Sequence, residues 1–250
     1  MEKPCAIITG GNRGIGKSIT KSFLAAGYRV AVVSRGGEID VDSSGSVLRT
    51  WKCDLREVGA FASICNHVSY WAGRVDVLVN NAGLSSWRPL EKIDEAFWDD
   101  MISINLKSVL FCSQGVLPYL TNSGSIINIS SLAGKRGSAN NSVYCAAKFG
   151  VNGLTQALAK ELGGRGIRVN ALCPVYVETL GLHDALKEPE APSSGQPVDS
   201  YLQNFATTNA ALKRLPTASE IGATCVFLAS PSASAITGQC INIDCGVFPQ

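Results

Sequence analysis

Apolar residues along this chain follow two alternating rhythms. Short runs of strand length recur: PCAIITG (4–10), YRVAVVS (28–34), VLRTWKC (47–53), VDVLVN (75–80), SIINIS (125–130), IRVNALC (167–173) and QCINID (239–244). Between them lie longer stretches whose apolar positions repeat at helical spacing. Residues 14–27 carry Ile15, Ile19, Phe23 and Leu24 in this way, and residues 57–71, 142–163 and 219–229 also predict helices. Residues 94–120 predict one long helix through Phe97, Met101, Ile104, Leu106 and Val109. Apolar strands separated by helices predict a parallel sheet of about seven strands, covered by helices on both faces. No shift in composition marks a domain boundary, so residues 1–250 are expected to be one α/β domain.

Two stretches break the rhythm. Residues 36–46 (GGEIDVDSSGS) are short, acidic and glycine-rich for a crossover, and predict a degenerate helix or bare loop. Residues 181–200 (GLHDALKEPEAPSSGQPVDS) read as either a disordered link or a functional lid, and their part EPEAPSSGQPVDS (188–200) has little to bury and is expected to be loosely ordered without ligand. They are followed by Tyr201, Leu202 and Phe205 at helical spacing. The whole segment 180–214 follows the sixth strand and is expected to form a lid over a ligand crevice at the strands' carboxyl ends; packing of the three apolar residues on the core is the alternative.

Composition narrows the function. Hydrophobic residues make up 46% and charged residues 17%, with a net charge of +2. That balance suits a buried sheet and gives no electrostatic case for nucleic acid or an anionic membrane as partner. There is no apolar stretch of signal-peptide or membrane-spanning length, so a cytoplasmic location is expected. The nine cysteines are odd in number and form no Cys-x-x-Cys, which suggests small buried thiols in a reducing compartment. With only His67 and His183, no metal site is expected.

The first strand ends in a turn, Thr9-Gly10-Gly11-Asn12-Arg13-Gly14-Ile15-Gly16, that opens a helix. Glycines there let the backbone approach a pyrophosphate, and the helix N-terminus supplies N–H groups and the positive dipole end. The second strand closes on Ser34-Arg35. No carboxylate stands at its tip to accept from a ribose 2′-hydroxyl, whereas Arg35, with Arg13 nearby, suits a 2′-phosphate. This favours NADPH over NADH, although Glu38, Asp40 and Asp42 follow closely and keep NAD open. Tyr144 and Lys148 are four residues apart and share a helical face. A free phenol titrates near 10, so Tyr144 needs a close, desolvated cation to act as an acid–base group near neutrality.

These motifs resemble the classical short-chain dehydrogenase/reductase family over essentially the whole chain. The resemblance rests on TGGNRGIG (9–16), CDL (53–55), NNAG (80–83), Asn105 within ISINL, ISS (129–131), YCAAK (144–148) and Cys173-Pro174, in family order and spacing. It implies a single-domain Rossmann fold. It also implies an oxidoreductase that uses NADPH/NADP on a small carbonyl or alcohol substrate. Tyr144 would donate the proton, and Lys148 would lower the tyrosine pKa and hold the nicotinamide ribose. Ser131, at the family's spacing before the tyrosine, would stabilise the carbonyl in preference to Ser130. Asn105 would hold a water linked to Lys148.

Cofactor contacts are implied for Gly10, Asn12, Arg13, Gly14, Ile15, Gly16, Ser34, Arg35, Asp54, Leu55, Asn81, Ala82, Gly83, Pro174, Val177 and Thr179, together with Tyr144 and Lys148. The chain departs from the family at Val175 and Cys245, where glycine is usual. In the branch acting on acyl carrier protein, basic residues are frequent at two positions; here one is Ser125 and the other Arg165. The resemblance further implies a homo-oligomer, tetramer over dimer, paired through helices 94–120 and 142–163. Two alternatives stand beside the reductase: an NAD-dependent alcohol or polyol dehydrogenase, and a nucleotide-binding sensor or scaffold with little activity.

Overall fold

The computed structural model describes residues 3–36 and 47–249. The described residues form one sheet of seven strands in the order β3-β2-β1-β4-β5-β6-β7, every neighbouring pair parallel. The strands are β1 (Cys5–Thr9), β2 (Arg29–Ser34), β3 (Leu48–Lys52), β4 (Val75–Asn80), β5 (Leu120–Ile129), β6 (Arg168–Pro174) and β7 (Cys240–Ile243). The helices are α1 (Gly14–Ala25), α2 (Ala60–Ala72), α3 (Glu95–Ile102), α4 (Ser108–Val116), α5 (Ser142–Leu162), α6 (Leu180–Leu186), α7 (Val198–Asn209) and α8 (Ala218–Ala229). This is the doubly wound α/β architecture expected, and the order reverses between β1 and β4, where ligands bind in such sheets.

Side-chain alternation splits the core in two. Cys5 and Ile7 of β1 face a cluster with Phe61, Ile64 and Val68 of α2, Cys112 and Val116 of α4, and Leu158 of α5. Ala6 and Ile8 face the other way, onto Ile19 and Phe23 of α1 and Ile221, Cys225 and Leu228 of α8. A sheet buried on both faces is why these strands read as unbroken apolar runs rather than alternating ones. Seven of the nine cysteines are buried in this scaffold.

Several boundaries differ from expectation. The long helix 94–120 is three pieces: α3, a π-helical turn at Ser103–Lys107, and α4. Leu120 is not helical at all. It pairs with Val75 and begins a fifth strand that starts well before SIINIS, with a register shift where Ser123 takes φ 67°. Apolar spacing alone cannot tell a helix end from a buried strand once residues pair across a sheet. The helix expected at 57–71 begins at Ala60, after Gly59 at φ 96°. The degenerate crossover expected at 36–46 lies, beyond Gly36, outside the described residues. Among the described residues no helix is long and apolar enough to cross a membrane.

The segment expected to be loosely ordered is instead tied down. Ala191 and Ser193 are buried, and the Ser193 hydroxyl donates to the Leu186 carbonyl at 2.5 Å. Glu188 accepts from the Ser86 hydroxyl (2.8 Å) and the Trp87 N–H (3.0 Å), and the Glu190 carboxylate meets Lys92 at 2.5 Å. Trp87, Ala185, Leu186, Ala191, Val198 and Leu202 close a third apolar cluster beneath it. The composition hid this because the partners come from residues 86–92, a hundred positions away in sequence.

Candidate active site

A cavity of about 1270 Å³ runs along the carboxyl ends of the strands, from the glycine turn to the helices of segment 180–209. At one end, Gly10 at φ 64° and Gly14 at φ 52° bend the chain into α1. The turn is packed to its limit: a Cβ at Gly16 would lie 2.1 Å from the Gly10 carbonyl oxygen. Arg13 caps α1 with backbone only, and no acidic residue occupies the first turn, so no side chain competes for its N–H groups. Asn81 joins β4 to this turn, its amide donating to the Thr9 carbonyl at 3.0 Å and the Gly10 carbonyl at 3.3 Å. The N–H groups of Asn81 and Ala82 both donate to the Thr9 hydroxyl at 3.0 Å. Thr179 lies against Gly14 from the far side of the cleft and caps α6, accepting from the Leu182 N–H.

Arg13 and Arg35 are exposed and both line the cavity, as do Asn12, Ile15, Ser34, Leu55, Ala82 and Gly83. Asn12 and Ser34 both donate to the Gly36 carbonyl, which fixes the tip of β2 (2.7 and 3.3 Å). Asp54 is the exception among the expected contacts. It is not part of the cavity lining, and Arg56 grips it at 2.7 Å, holding its carboxyl down at about 2. A cleft so narrowed at its glycines, with cations and, among the described residues, no carboxylate at the tip of β2, fits a dinucleotide with its phosphates over α1.

At the other end, α5 brings Tyr144 and Lys148 to face Ser131, all three lining the cavity. Ser131 is near enough to the Tyr144 phenol to favour its ionisation, and its hydroxyl accepts from the Ala133 N–H at 3.1 Å. Ser130 points inward, its hydroxyl donating to the Lys148 carbonyl at 3.3 Å, so of the two serines Ser131 is the one near the phenol. Lys148 is buried. Its Nζ donates to the Ile129 carbonyl at 2.9 Å and stands 5.5 Å from the centre of the Tyr144 ring.

Burial governs the charges at this end. Burial pushes the Tyr144 phenol up to about 12, and Ser131 offsets this only in part. Burial also weakens the Lys148 ammonium, bringing it down to about 8. In the protein alone, therefore, Tyr144 is a firmly protonated donor.

Asn105 sits in the π-helical turn, fully buried, with its amide oxygen accepting from the Leu84 N–H at 3.2 Å. A Cβ at Gly83 would meet that oxygen at 2.8 Å and the Lys148 ammonium at 3.8 Å, so Asn105, Gly83 and Lys148 form one contiguous wall. The turn re-aims one residue in mid-helix, a frequent use of π-bulges at functional sites. Pro174, Val177 and Thr179 line the same cleft. Val175 takes the usual glycine's place without entering the left-handed region, whereas Cys245 takes its place at φ 55°.

Sequence reasoning missed Trp87, Arg136, Asn141 and Tyr176, which also line the cavity. They sit in irregular loops that carry no periodic signal. At the two positions raised for a carrier-protein partner, Ser125 is buried and donates to the Leu228 carbonyl at 3.3 Å. Arg165 binds the Leu117 and Leu120 carbonyls at the end of α4 and the start of β5 (3.2 and 2.9 Å). Both side chains have structural partners.

The fold and cleft define a dinucleotide-binding α/β domain with a Ser–Tyr–Lys centre. A family profile described as enoyl-(acyl carrier protein) reductase matches residues 10–248. The chain is 37% identical to the 3-oxoacyl-[acyl-carrier-protein] reductase FabG of Staphylococcus epidermidis, over 97% of this chain and 98% of that one. It is similar to the solved structure of Thermoplasma acidophilum aldohexose dehydrogenase, with TM-score 0.88, 27% identity and coverage of 100% and 98%. A structure of a variant actinorhodin polyketide ketoreductase with NADPH superposes with TM-score 0.87 at 30% identity, covering 98% and 97%. This chain belongs to the short-chain dehydrogenase/reductase family. It is an oxidoreductase that takes a nicotinamide cofactor.

Proposed function

We propose that the protein is an NADPH-dependent carbonyl reductase acting on a ketone or 3-oxoacyl-type small molecule, with Tyr144 as proton donor. The observation that carries this is the convergence of Ser131, Tyr144 and Lys148 on one cavity that continues to the glycine turn. When bound, the nicotinamide supplies the hydride. Ser131 and Tyr144 offer two hydroxyl donors to one carbonyl oxygen, stabilising the charge that develops there. Tyr144, held protonated by burial, gives that oxygen its proton, and the alcohol results. Gly10, Gly14 and Gly16 with the first turn of α1 take the pyrophosphate, and Asn81, Ala82 and Gly83 flank the adenosine side. Lys148 and Asn105 line the ribose side.

Arg35 and Arg13, exposed at the tip of β2 and in the glycine turn, supply charge for a 2′-phosphate. Segment 180–214 acts as the substrate lid. Phe205 lines the cavity and packs edge-on against Tyr176 with ring centres 4.9 Å apart. The working assembly is a homo-oligomer, tetramer over dimer, formed in the cytoplasm. Trp98 on α3, Leu110 on α4 and Phe149 on α5 leave large apolar side chains exposed on the helices expected to pair.

The deciding experiment is calorimetric titration with NADPH and NADH, followed by NADPH oxidation with a panel that includes small ketones and acetoacetyl thioesters. Tighter NADPH binding that Arg35→Asp abolishes selectively supports the reading. Equal or stronger NADH binding refutes the cofactor choice, and absence of turnover across the panel refutes the reductase.

A further inference from the structure

Among the described residues, four cationic side chains line the cavity: Arg13, Arg35, Lys148 and Arg136. Arg13 and Arg35 stand at the glycine turn and the tip of β2, and Lys148 shares a helix with Tyr144, so the reaction described above accounts for three of them. Arg136 has no part in it. This residue lies five positions beyond Ser131, in a turn held by the Gly134 N–H on the Ser131 carbonyl (2.9 Å) and the Arg136 N–H on the Leu132 carbonyl (3.0 Å). The turn that sets the catalytic serine therefore also sets the arginine, at the substrate end of the cleft.

Arg136 is exposed, and its guanidinium is unspent. Among the described residues it makes no ion pair and no side-chain hydrogen bond, whereas Arg56, Arg165 and Arg214 each give theirs to protein acceptors. Its guanidinium carbon lies over the Phe248 ring, 5.6 Å from the centre. Phe248 is itself anchored, its N–H donating to Asp244 (2.8 Å) and its carbonyl accepting from Asn242 (2.7 Å). Stacking on an aromatic face positions a guanidinium without using its N–H edges. Burial raises the Tyr176 phenol and the Arg136 charge offsets part of the rise, so these two side chains are close. Tyr176 and Phe205, with ring centres 4.9 Å apart, give this end of the cavity apolar walls. Of the carboxylates on the lining, Glu190 meets Lys92 and Asp184 faces Lys187, and neither they nor Glu178 pairs with Arg136. An available cation thus stands beside aromatic walls, in the same cavity as the proton donor.

We propose that Arg136 is a specificity-determining residue that binds a carboxylate on the carbonyl substrate, so that the enzyme prefers keto acids to neutral ketones. The inference rests on the reductase reading and narrows its substrate class. The planar fork of a guanidinium matches a carboxylate through two parallel N–H bonds, and the carbon chain between the two groups packs on Tyr176 and Phe205. A carboxylate bound away from the reacting carbonyl is held alike before and during hydride transfer. Losing its partner should therefore appear in KM rather than in kcat.

The test compares three keto acids on the NADPH-loaded enzyme, each with a neutral isostere carrying an isopropyl group in place of the carboxylate. The pairs are 3-oxobutanoate and 4-methylpentan-2-one, 4-oxopentanoate and 5-methylhexan-2-one, and 5-oxohexanoate and 6-methylheptan-2-one. Their lengths differ so that one matches the span from carbonyl to guanidinium. The expected result is a kcat/KM about tenfold or more above the isostere for the keto acid whose length fits. Arg136→Gln should bring that ratio near one by raising the keto acid's KM about tenfold, with kcat within about twofold. Arg136→Lys, which keeps the charge and loses the fork, should fall between the two. No keto acid ahead of its isostere, a preference that survives Arg136→Gln, or a loss in kcat instead of KM would overturn the assignment. If the parent turns over none of the six, the reductase reading fails; ligand-observed NMR of the same pairs on NADPH-loaded Tyr144→Phe still decides Arg136. Keto-acid binding about tenfold tighter than the isostere, lost in Tyr144→Phe/Arg136→Gln, upholds it, and equal binding overturns it.

Discussion

Replacing Gly16 with alanine should dismantle the cofactor cradle while leaving the rest of the fold in place. The added methyl carbon would stand 2.1 Å from the Gly10 carbonyl oxygen, 2.8 Å from its carbon and 2.5 Å from the Asn81 amide nitrogen. Ordinary contact begins near 3.4 Å, so the turn must open by roughly 1.3 Å. That movement pulls the Gly10 carbonyl away from α1 and strains the two bonds by which Asn81 ties β4 to the turn. Overpacking of this kind costs about 1–3 kcal/mol, and two weakened hydrogen bonds add about 1 kcal/mol each. A misplaced pyrophosphate site should then show as roughly 100-fold weaker NADPH binding, or about 3 kcal/mol. Isothermal titration measures this directly, with denaturant unfolding as the companion measurement. Gly153→Ala is the control: nothing lies within 4 Å of its added carbon, and it sits within α5. It should gain about 0.5–1 kcal/mol of stability with unchanged cofactor affinity. A Gly16→Ala protein that binds NADPH within threefold of the parent, at unchanged stability, would refute the cradle.

Tyr144→Phe should lower kcat by about a thousandfold or more and Ser131→Ala by about a hundredfold, both with cofactor binding retained. Ser130→Ala should instead cost about 1 kcal/mol of stability, since its hydroxyl bonds the Lys148 carbonyl; a larger kcat loss at Ser130 than at Ser131 would reverse the assignment. Stability should fall steeply above about pH 9.5. Burial raises the thiols of Cys5 and Cys65 from 9 to about 12, and those of Cys112 and Cys225 further still. Such groups stabilise the fold below their unfolded pKa, and each loses about 1.4 kcal/mol per pH unit above it. Lys148, lowered to about 8, works in the opposite sense between 8 and 10.5 but is one group against four. A melting temperature unchanged from pH 8 to 11 would contradict this. Light scattering at micromolar concentration should give a multiple of the 26.3 kDa chain mass, and Phe149→Glu should shift it toward the monomer.

Much of this protein is decided by local sequence. Runs such as VAVVS and VDVLVN are apolar on both faces and can only be strands of a covered sheet. A strand, a glycine turn and a helix in direct succession make an anion site from backbone alone. Both signals depend on neighbours within a few residues, which is why the seven strands and the glycine cradle were legible. Family spacing chose Ser131 over Ser130, and both serines line the cavity with Tyr144.

Other features depend on partners far along the chain. Leu120 reads as the end of a helix and becomes a strand because Val75 offers a ladder to join. Segment 188–200 reads as loose, but Glu188 and Glu190 find Ser86, Trp87 and Lys92 across the cleft. Burial raises the Tyr144 phenol and lowers the Lys148 ammonium, a shift that their spacing in sequence does not reveal. Desolvation and long-range pairing are properties of the packed protein, and only the tertiary structure sets them.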